Sequence, residues 1–422
     1  MRFSKSNILC FIFVFLMNIT FAQEKIKFGY HSPSGKAKTL DNEEIKKNKR
    51  EPKLIIPKIQ QKNLHNSDVI HSSDSVFTII KDTITISVLL PFYIDKNTTL
   101  LKYLRENQKD THQIYNKSNL AISFLEGILL SVDTLEKLGI PVVIHVFDTE
   151  NNLDTLKKII TDIRVKSSNI IFGPIYLKNF NLVRNFFRKD YNKVIINPLS
   201  RNYTLLQESK NVYFLTPFIK QHKDSLVRCI IKNETKKKLI IVSNEQESKK
   251  SEYFVLKNRL FTTFPGIVHK EFRNLSSVNK SSFGFLSDQE NVVLILSENK
   301  PFIKKVVTFC GASDSLITIY AQEPLKDVLE LNTETLMKLN VHIPVSNYFD
   351  RHSTKNRRLL HQFESNFSHQ MDDYSLLSFR SIMHFCSDKR QFSFIKFSNN
   401  GGYINTDVRM CIYKDYHLSP IE

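Results

Sequence analysis

Ser200, Arg201 and Asn202 set a hydroxyl, a guanidinium and an amide in succession directly behind an apolar run and a proline, in "KVIINPLSRN". Such a trio suits capture of a small polar solute, because a guanidinium can grip a carboxylate through two parallel N–H bonds while the neighbours donate or accept singly. The plainer alternative for the same residues is a solvated Arg201 and a Ser200 that caps a helix. Tyr93 after "SVLLPF", Tyr176 in "IIFGPIYLK", Asn244 after "LIIVS" and Gln322 after "LITIYA" occupy comparable places, each just beyond an apolar run, and Glu245 and Glu323 follow the last two. Tyr374 opens an apolar helix-like stretch, where it reads as a contact or as a core or hinge residue. These eight, Tyr93, Tyr176, Ser200, Arg201, Asn202, Asn244, Gln322 and Tyr374, are the candidate ligand contacts.

The company that catalysis needs is missing. No G-x-S-x-G, H-E-x-x-H, Walker loop or glycine-rich dinucleotide turn occurs. Asp372-Asp373 stands before a helix and suits capping it, with no partner base in reach of the sequence pattern. Beyond Cys10 the cysteines are Cys229, Cys310, Cys386 and Cys411, widely spaced and without C-x-x-C or a histidine pair at ligand spacing, so zinc and dithiol chemistry are not expected. Their sparse use suggests small buried apolar residues, with room for one disulfide of undetermined pairing. No enzyme activity, cofactor or metal is expected.

The formal charge of +18 would suit a polyanion partner, yet the chain also has 10 Gly, 13 Pro, no Trp and 32 Phe among 422 residues, a skew that an AT-rich genome imposes on any protein. The charge is spread along the chain and no recognition-helix, RNP or zinc-finger pattern accompanies it, so nucleic acid is not the expected partner. A weak attraction to anionic envelope polymers stays open.

The elements that must position the candidate contacts follow from periodicity. Residues 1–22 read as a secretory signal peptide: Arg2 and Lys5 precede an uncharged run from Ile8 to Met17, and Ala22 offers a small residue at the cut. That run is too short to span a bilayer, so no transmembrane segment is expected once it is removed, and the location is periplasmic. Residues 23–81 lack any apolar period and read as a flexible basic arm. From Thr83 onward, "TITISVLLPF" reads as a buried strand. Ala121, Leu125, Ile128, Val132 and Leu135 recur at helical spacing up to Gly139, and "PVVIHVFD" is a second strand. Leu153, Leu156, Ile160 and Ile163 mark a further helix, capped by Asn151 or Asn152. The stretch from Asp95 to Asn119 reads as a polar insertion. Strand and helix then alternate twice over, and the chain closes on "QFSFIKFS" and "DVRMCIYKDYHL", read as a pair joined by "NNGGYINT".

Strands apolar on both faces and alternating with helices predict an α/β fold of two doubly wound, Rossmann-like lobes with parallel sheets. The expected boundaries are 82–217 plus 347–388 for lobe 1 and 218–346 plus 389–422 for lobe 2. In such sheets the usable crevice lies outside the carboxyl ends of the strands, where the candidate contacts stand.

Taken in order, "SVLLPFY", "FLEGILLSVDTLEKLG", "VFDTENN", "IIFGPIYLKN", "INPLSRN", "DDYSLLSFRSIMHF" and "NNGGYINTDVRMCIYKDY" resemble the type I periplasmic binding protein family over about residues 83–422. The similarity is greatest to a branch found in Bacteroidetes envelopes, whose members are often named amino-acid transporter binding proteins and often carry LysM domains where this chain has its arm. The resemblance implies a central cleft between the lobes and a small solute, an amino acid or a wall fragment, bound there without catalysis. In amino-acid-binding members a serine or threonine and helix-terminal N–H groups hold the α-carboxylate. At the matching loop this chain has Ile175, Tyr176, Leu177 and Lys178, without a short hydroxyl, so binding of free amino acids in the family manner is not expected. "FGPIYLKNFNLV" also resembles lipoprotein activators of penicillin-binding proteins. That resemblance implies the alternative, a scaffold or regulator of peptidoglycan synthesis whose partner is an envelope protein or the wall itself.

Overall fold

The computed structural model describes residues 83–421 apart from 235–236, 265, 280–282 and 287–288. The expected signal peptide, Cys10 and the arm over 23–81 lie outside the described residues. The chain first forms β1 (Ile84–Leu90), α1 (Ile94–Glu106), α2 (Asn119–Lys137), β2 (Val142–Asp148), α3 (Leu153–Thr161), α4 (Ile163–Lys166), β3 (Ile170–Phe172), α5 (Leu177–Phe187), β4 (Val194–Asn197) and β5 (Val212–Phe214). A second series runs through α6 (Ile219–Asn233), β6 (Lys238–Asn244), α7 (Glu245–Ser248), α8 (Ser251–Thr263), β7 (Val268–Phe272), β8 (Asn291–Leu296), α9 (Lys300–Gly311), β9 (Ile317–Ala321), α10 (Thr333–Lys338) and β10 (His342–Ser346). The return comprises α11 (Thr354–Phe367), α12 (Asp373–Cys386), β11 (Phe394–Lys396), β12 (Tyr403–Asn405), β13 (Val408–Lys414) and β14 (His417–Pro420).

Two units result. The first holds the described residues up to Leu215 together with Thr354–Asn405, and the second holds the described residues of Thr216–Ser353 and those from Thr406 onward. Each contains a seven-stranded sheet: β11-β12-β5-β4-β3-β1-β2 in the first unit and β14-β13-β10-β9-β8-β6-β7 in the second. Neighbours are parallel except where β11 meets β12, and where β13 meets β10 and β14. In both sheets the second strand in sequence lies outside the first and the third lies on its other side. The strand order therefore reverses between β1 and β3 in one unit and between β6 and β8 in the other, and such switch points open a crevice at the carboxyl ends of the strands.

The residues explain the layers. β1 is buried from Ile86 through Leu90, as a central parallel strand covered on both faces must be. Ala121, Leu125, Ile128, Val132 and Leu135 are all buried, and so are Ile122, Phe124 and Leu130 on the remaining faces, because α2 is covered by α12 as well as by the sheet. Residues 116–137 are long and apolar enough to cross a membrane by composition, yet 72% of that window is buried within the protein, the mark of a core helix. In the second unit one layer packs Ile240, Val293 and Ile319 under Phe302, Val306 and Cys310, and the other packs Leu239, Ile241 and Leu294 under Leu226, Tyr253 and Leu256.

Several expectations are corrected. The polar insertion after Asp95 is α1, a helix that buries only Asn97 and Leu104 and therefore shows almost no apolar stripe. Ile163 is 74% exposed, because the chain turns extended at Asp162 and α3 ends at Thr161. The closing strands are not one pair: β11 and β12 join the first sheet, with β12 beside β5, whereas β13 lies against β10 in the second. Residues 389–405 accordingly belong to the first unit rather than the second, and 347–353 to the second rather than the first. Cys229, Cys310, Cys386 and Cys411 are all free thiols, and burial pushes those of Cys310, Cys386 and Cys411 up to about 12.

Candidate functional site

At the carboxyl end of the first sheet, Gly173 has φ +88 and would place a Cβ 2.4 Å from the Leu89 carbonyl oxygen, so only glycine allows β3 to turn this close to β1. The turn delivers Tyr176 to the start of α5 and Tyr93 stands opposite, after β1. Burial, followed by the neighbouring Tyr176 phenol, raises the Tyr93 pKa. The ring of Tyr93 meets Tyr115 edge-on at 5.4 Å, and Asn151 nearby accepts through Oδ1 from Asn179 Nδ2 at 3.2 Å. The pair therefore spans the switch point between β1 and β3.

The backbone here is unusual. Tyr93 (φ 54), Glu150 (φ 49) and Asn151 (φ 53) are all left-handed, a region that non-glycine residues seldom occupy and that a bulky side chain occupies at a cost. Asp148 holds the arrangement: its carboxylate accepts from the N–H groups of Phe92 (2.9 Å), Ile94 (2.8 Å) and Glu150 (2.8 Å). Burial raises the Asp148 pKa in spite of these bonds, and burial likewise raises that of Glu150. No side chain caps α5, so its first-turn N–H groups lie beside Tyr176 at the positive end of a helix.

The next loop is built by Asn197, a buried residue that sequence reasoning passed over. Its Oδ1 accepts from the N–H groups of Leu199 (3.0 Å) and Ser200 (2.6 Å) while Nδ2 donates to the Pro174 carbonyl (3.2 Å), tying the loops after β3 and β4 together. Ser200 Oγ accepts from the Asn202 N–H at 3.1 Å, and Asn202 Oδ1 accepts from both Thr204 N–H (3.1 Å) and Thr204 Oγ1 (2.7 Å). Those two polar groups are engaged in the turn, and Arg201 between them is exposed. Tyr374 is 43% exposed and packs edge-on against Phe124, which packs in the same way on Phe172 at the end of β3. Two residues earlier, Asp372 caps α12 as expected, accepting from the Ser375 N–H at 2.7 Å.

In the second unit Asn244 caps α7 through the Glu247 N–H at 2.9 Å. Gln322 is buried with its Nε2 lacking a partner. Glu323 beside it is the centre of a cluster. Ser346 donates to it through its N–H (3.0 Å) and Oγ (2.8 Å), and Lys326 Nζ stands at 3.1 Å. His222 Nε2 lies 2.7 Å from Ser346 Oγ and 3.4 Å from Glu323 Oε2. Burial pushes the Glu323 carboxyl up, but Lys326, His222 and the Ser346 bonds outweigh it and hold the group below the usual carboxylate range. Serine, histidine and carboxylate here do not form an acyl-transfer relay, since hydroxyl and carboxylate approach the same ring nitrogen. Among the described residues no group of three His, Cys, Asp or Glu side chains could hold a metal.

No protein-family model and no curated protein matches the sequence. Solved structures do. A candidate branched-chain amino acid ABC transporter protein from Rhodospirillum rubrum aligns with a TM-score of 0.56 at 9% identity, over 80% of this chain and 100% of that one. An ABC transporter substrate-binding protein from Desulfitobacterium hafniense aligns with a TM-score of 0.50 at 12% identity, over 81% and 100%. LpoA from Haemophilus influenzae aligns at 0.47 with 12% identity, over 81% of this chain and 59% of its own. The fold is that of type I periplasmic binding proteins. At these identities the likeness concerns the fold, and function has to be argued from the sites.

Proposed function

We propose that the chain is a secreted, non-catalytic envelope protein that holds a small solute at the carboxyl ends of the first unit's strands. The observation that carries this reading is the Tyr93–Tyr176 pair across the switch point, with Tyr93, Glu150 and Asn151 kept in the left-handed region around it. Backbone strain of this kind costs on the order of 1–3 kcal/mol per residue and persists where the surroundings impose it, most often at sites of function. The signal sequence supports a periplasmic location, and the fold supports solute binding over catalysis. Phenols and the uncapped first turn of α5 replace the short hydroxyls of amino-acid binders, so a wall fragment carrying a carboxylate beside an apolar group suits the rim better than a free amino acid.

The second reading, a scaffold for the wall-synthesis machinery, draws on the same loop. Ser200 and Asn202 are engaged in turns, and the two tyrosine rings fill the space beside them. Thermal-shift titration with amino acids and with muropeptides separates the two readings, because a ligand that binds only the folded state must raise the melting temperature. A shift with one of these that is lost in Tyr176→Ala supports solute binding. No shift with either class refutes it in favour of the scaffold.

A further inference from the structure

At the opposite end of the first sheet, the 3-10 turn after β4 and the loop between β11 and β12 flank an open groove of about 450 Å³ lined by Arg184, Thr204, Gln207, Glu208, Ser398 and Asn400. We infer that this groove is a saccharide subsite, separate from the strand-end rim.

The chemistry of the lining selects the ligand. Two hydroxyls, two amides, a carboxylate and a guanidinium offer donors and acceptors in mixture, as the vicinal hydroxyls of a pyranose require. The carboxylate of Glu208 opposes a phosphate or carboxylate ligand, and none of the six side chains offers an apolar patch to an aliphatic side chain. Arg184 does not present a free fork to an anion. Its Nη1 is committed to the carbonyls of Thr204 (3.3 Å), Leu205 (3.2 Å) and Gln207 (3.2 Å), and its Nη2 donates to Asn185 Oδ1 at 2.8 Å. Its role is to fix the floor.

The apolar contact that a sugar also needs stands at the lip. Tyr203, next to Thr204, is 54% exposed, and its ring stacks at 6.0 Å and 28° on Phe397, next to Ser398. One face of the tyrosine is thus backed by protein, leaving the ring held as a flat surface on which the C–H face of a pyranose can lie.

Both walls are preorganised, which lowers the ordering cost of binding. The Gly402 N–H donates to the Leu206 carbonyl at 2.8 Å, joining the two loops, and the Phe397 N–H donates to the Gly402 carbonyl at 2.8 Å, closing the second loop on itself. Thr204 Oγ1 spends its proton on Asn202 Oδ1, leaving its lone pairs as acceptors. Glu208 is itself left-handed at φ 52, a strained position that the fold maintains at this groove.

Saturation-transfer NMR and calorimetric titration of the purified chain test the inference, with N-acetylglucosamine, chitotriose and maltotriose as probes. Binding of at least one is expected in the millimolar range or tighter, weakened about tenfold or more by Tyr203→Ala and retained by Tyr203→Phe. Tyr203 is exposed, so its alanine variant should melt with the wild type. Gln207→Ala serves as a second variant that leaves the aromatic pair in place and should also weaken binding. Transfer from the trisaccharides alone identifies a glycan strand as the source, and transfer from the monosaccharide as well identifies free sugar. The absence of transfer from all three, or binding unchanged in both Tyr203→Ala and Gln207→Ala, overturns the inference. So does binding abolished by Tyr176→Ala, which would place the sugar at the rim.

Discussion

Gly127 of α2 lies so close to Ser375 of α12 that a Cβ built on it would stand 1.9 Å from the Ser375 carbonyl oxygen and 2.2 Å from Ser378 Oγ. The contact is carried on by Ser378 Oγ, which donates to the Phe124 carbonyl at 2.8 Å. These helices come from opposite ends of the chain, and their seam joins the returning segment to the first unit. Gly127→Ala should therefore cost at least the 1–3 kcal/mol typical of an overpacked core. Adding Ser378→Ala should not restore stability, because the nearest obstacle is backbone. Calorimetry of the two variants measures both effects, and a Gly127→Ala protein that melts with the wild type would refute the close packing of this seam.

His384 predicts an acid-sensitive first unit. Its Nδ1 accepts from the N–H groups of Gln391 (3.0 Å) and Phe392 (3.3 Å), so that nitrogen carries no proton in the folded chain. Burial, then Arg390 and Arg380, lowers its pKa from 6.5 to about 4. Above pH 6.5 the ring is neutral in the folded and the unfolded chain and contributes no pH dependence. Between 6.5 and 4 only the unfolded chain takes up the proton, so stability falls with pH by on the order of 3 kcal/mol and levels off below. Asparagine can offer an acceptor near the place of Nδ1 and does not titrate. His384→Asn should flatten this part of the melting-temperature curve relative to wild type, and an unchanged slope would contradict the assignment.

How far the sequence could be read depended on where the side chains point. Strands such as β8, with six buried residues in succession, declare themselves as apolar runs, and Asn152 capped its helix where the pattern placed a cap. By contrast α1 faces solvent over most of its surface and offers no period to read. The turn-like "NNGG" does join two antiparallel strands, β11 and β12, but the expected partner "DVRMCIYKDYHL" leaves for the other sheet, because pairing is decided by neighbours far away in sequence and β13 lies against β10. Tyr93 and Tyr176 were legible as residues beyond strands. Asn197 was not, because a buried asparagine that ties two loops looks like any other residue before a proline. The cluster around Glu323 was legible only in part: His222 and Ser346 are 124 residues apart, and no local spacing joins them.

Lys193 offers a test of buried polar satisfaction. Its side chain is buried, and Nζ donates to the carbonyls of Lys166 (3.1 Å) and Ser168 at the end of α4, with Asp190 Oδ2 at 3.7 Å. Burial lowers its pKa, partly offset by Asp190. Lys193→Met keeps the length of the side chain and strands those acceptors, each at about 1–3 kcal/mol. Loss of hydrogen-exchange protection in the α4 and β3 amides is the expected outcome. Unchanged protection there would mean that the ammonium does not cap the carbonyls.

Glu323 separates a charge effect from a packing effect in the second unit. The carboxylate accepts from Ser346 twice and faces Lys326 and His222, so Glu323→Gln keeps the shape but turns one acceptor into a donor aimed at other donors. Removing one member of a buried charged cluster costs about 3–5 kcal/mol where the others stay charged and unpaired. The folded pKa lies below the ordinary glutamate value of 4.5, so the stabilisation is fully present above that pH and is lost as the pH falls through the folded pKa. The variant should therefore show faster hydrogen exchange than wild type in the amides of β9 and β10 at neutral pH. The difference should shrink in acid, once the wild-type carboxyl also carries a proton. A deficit of the same size at both ends of the pH range would show that the lost acceptor accounts for the effect and that the charge of Glu323 contributes nothing to the cluster.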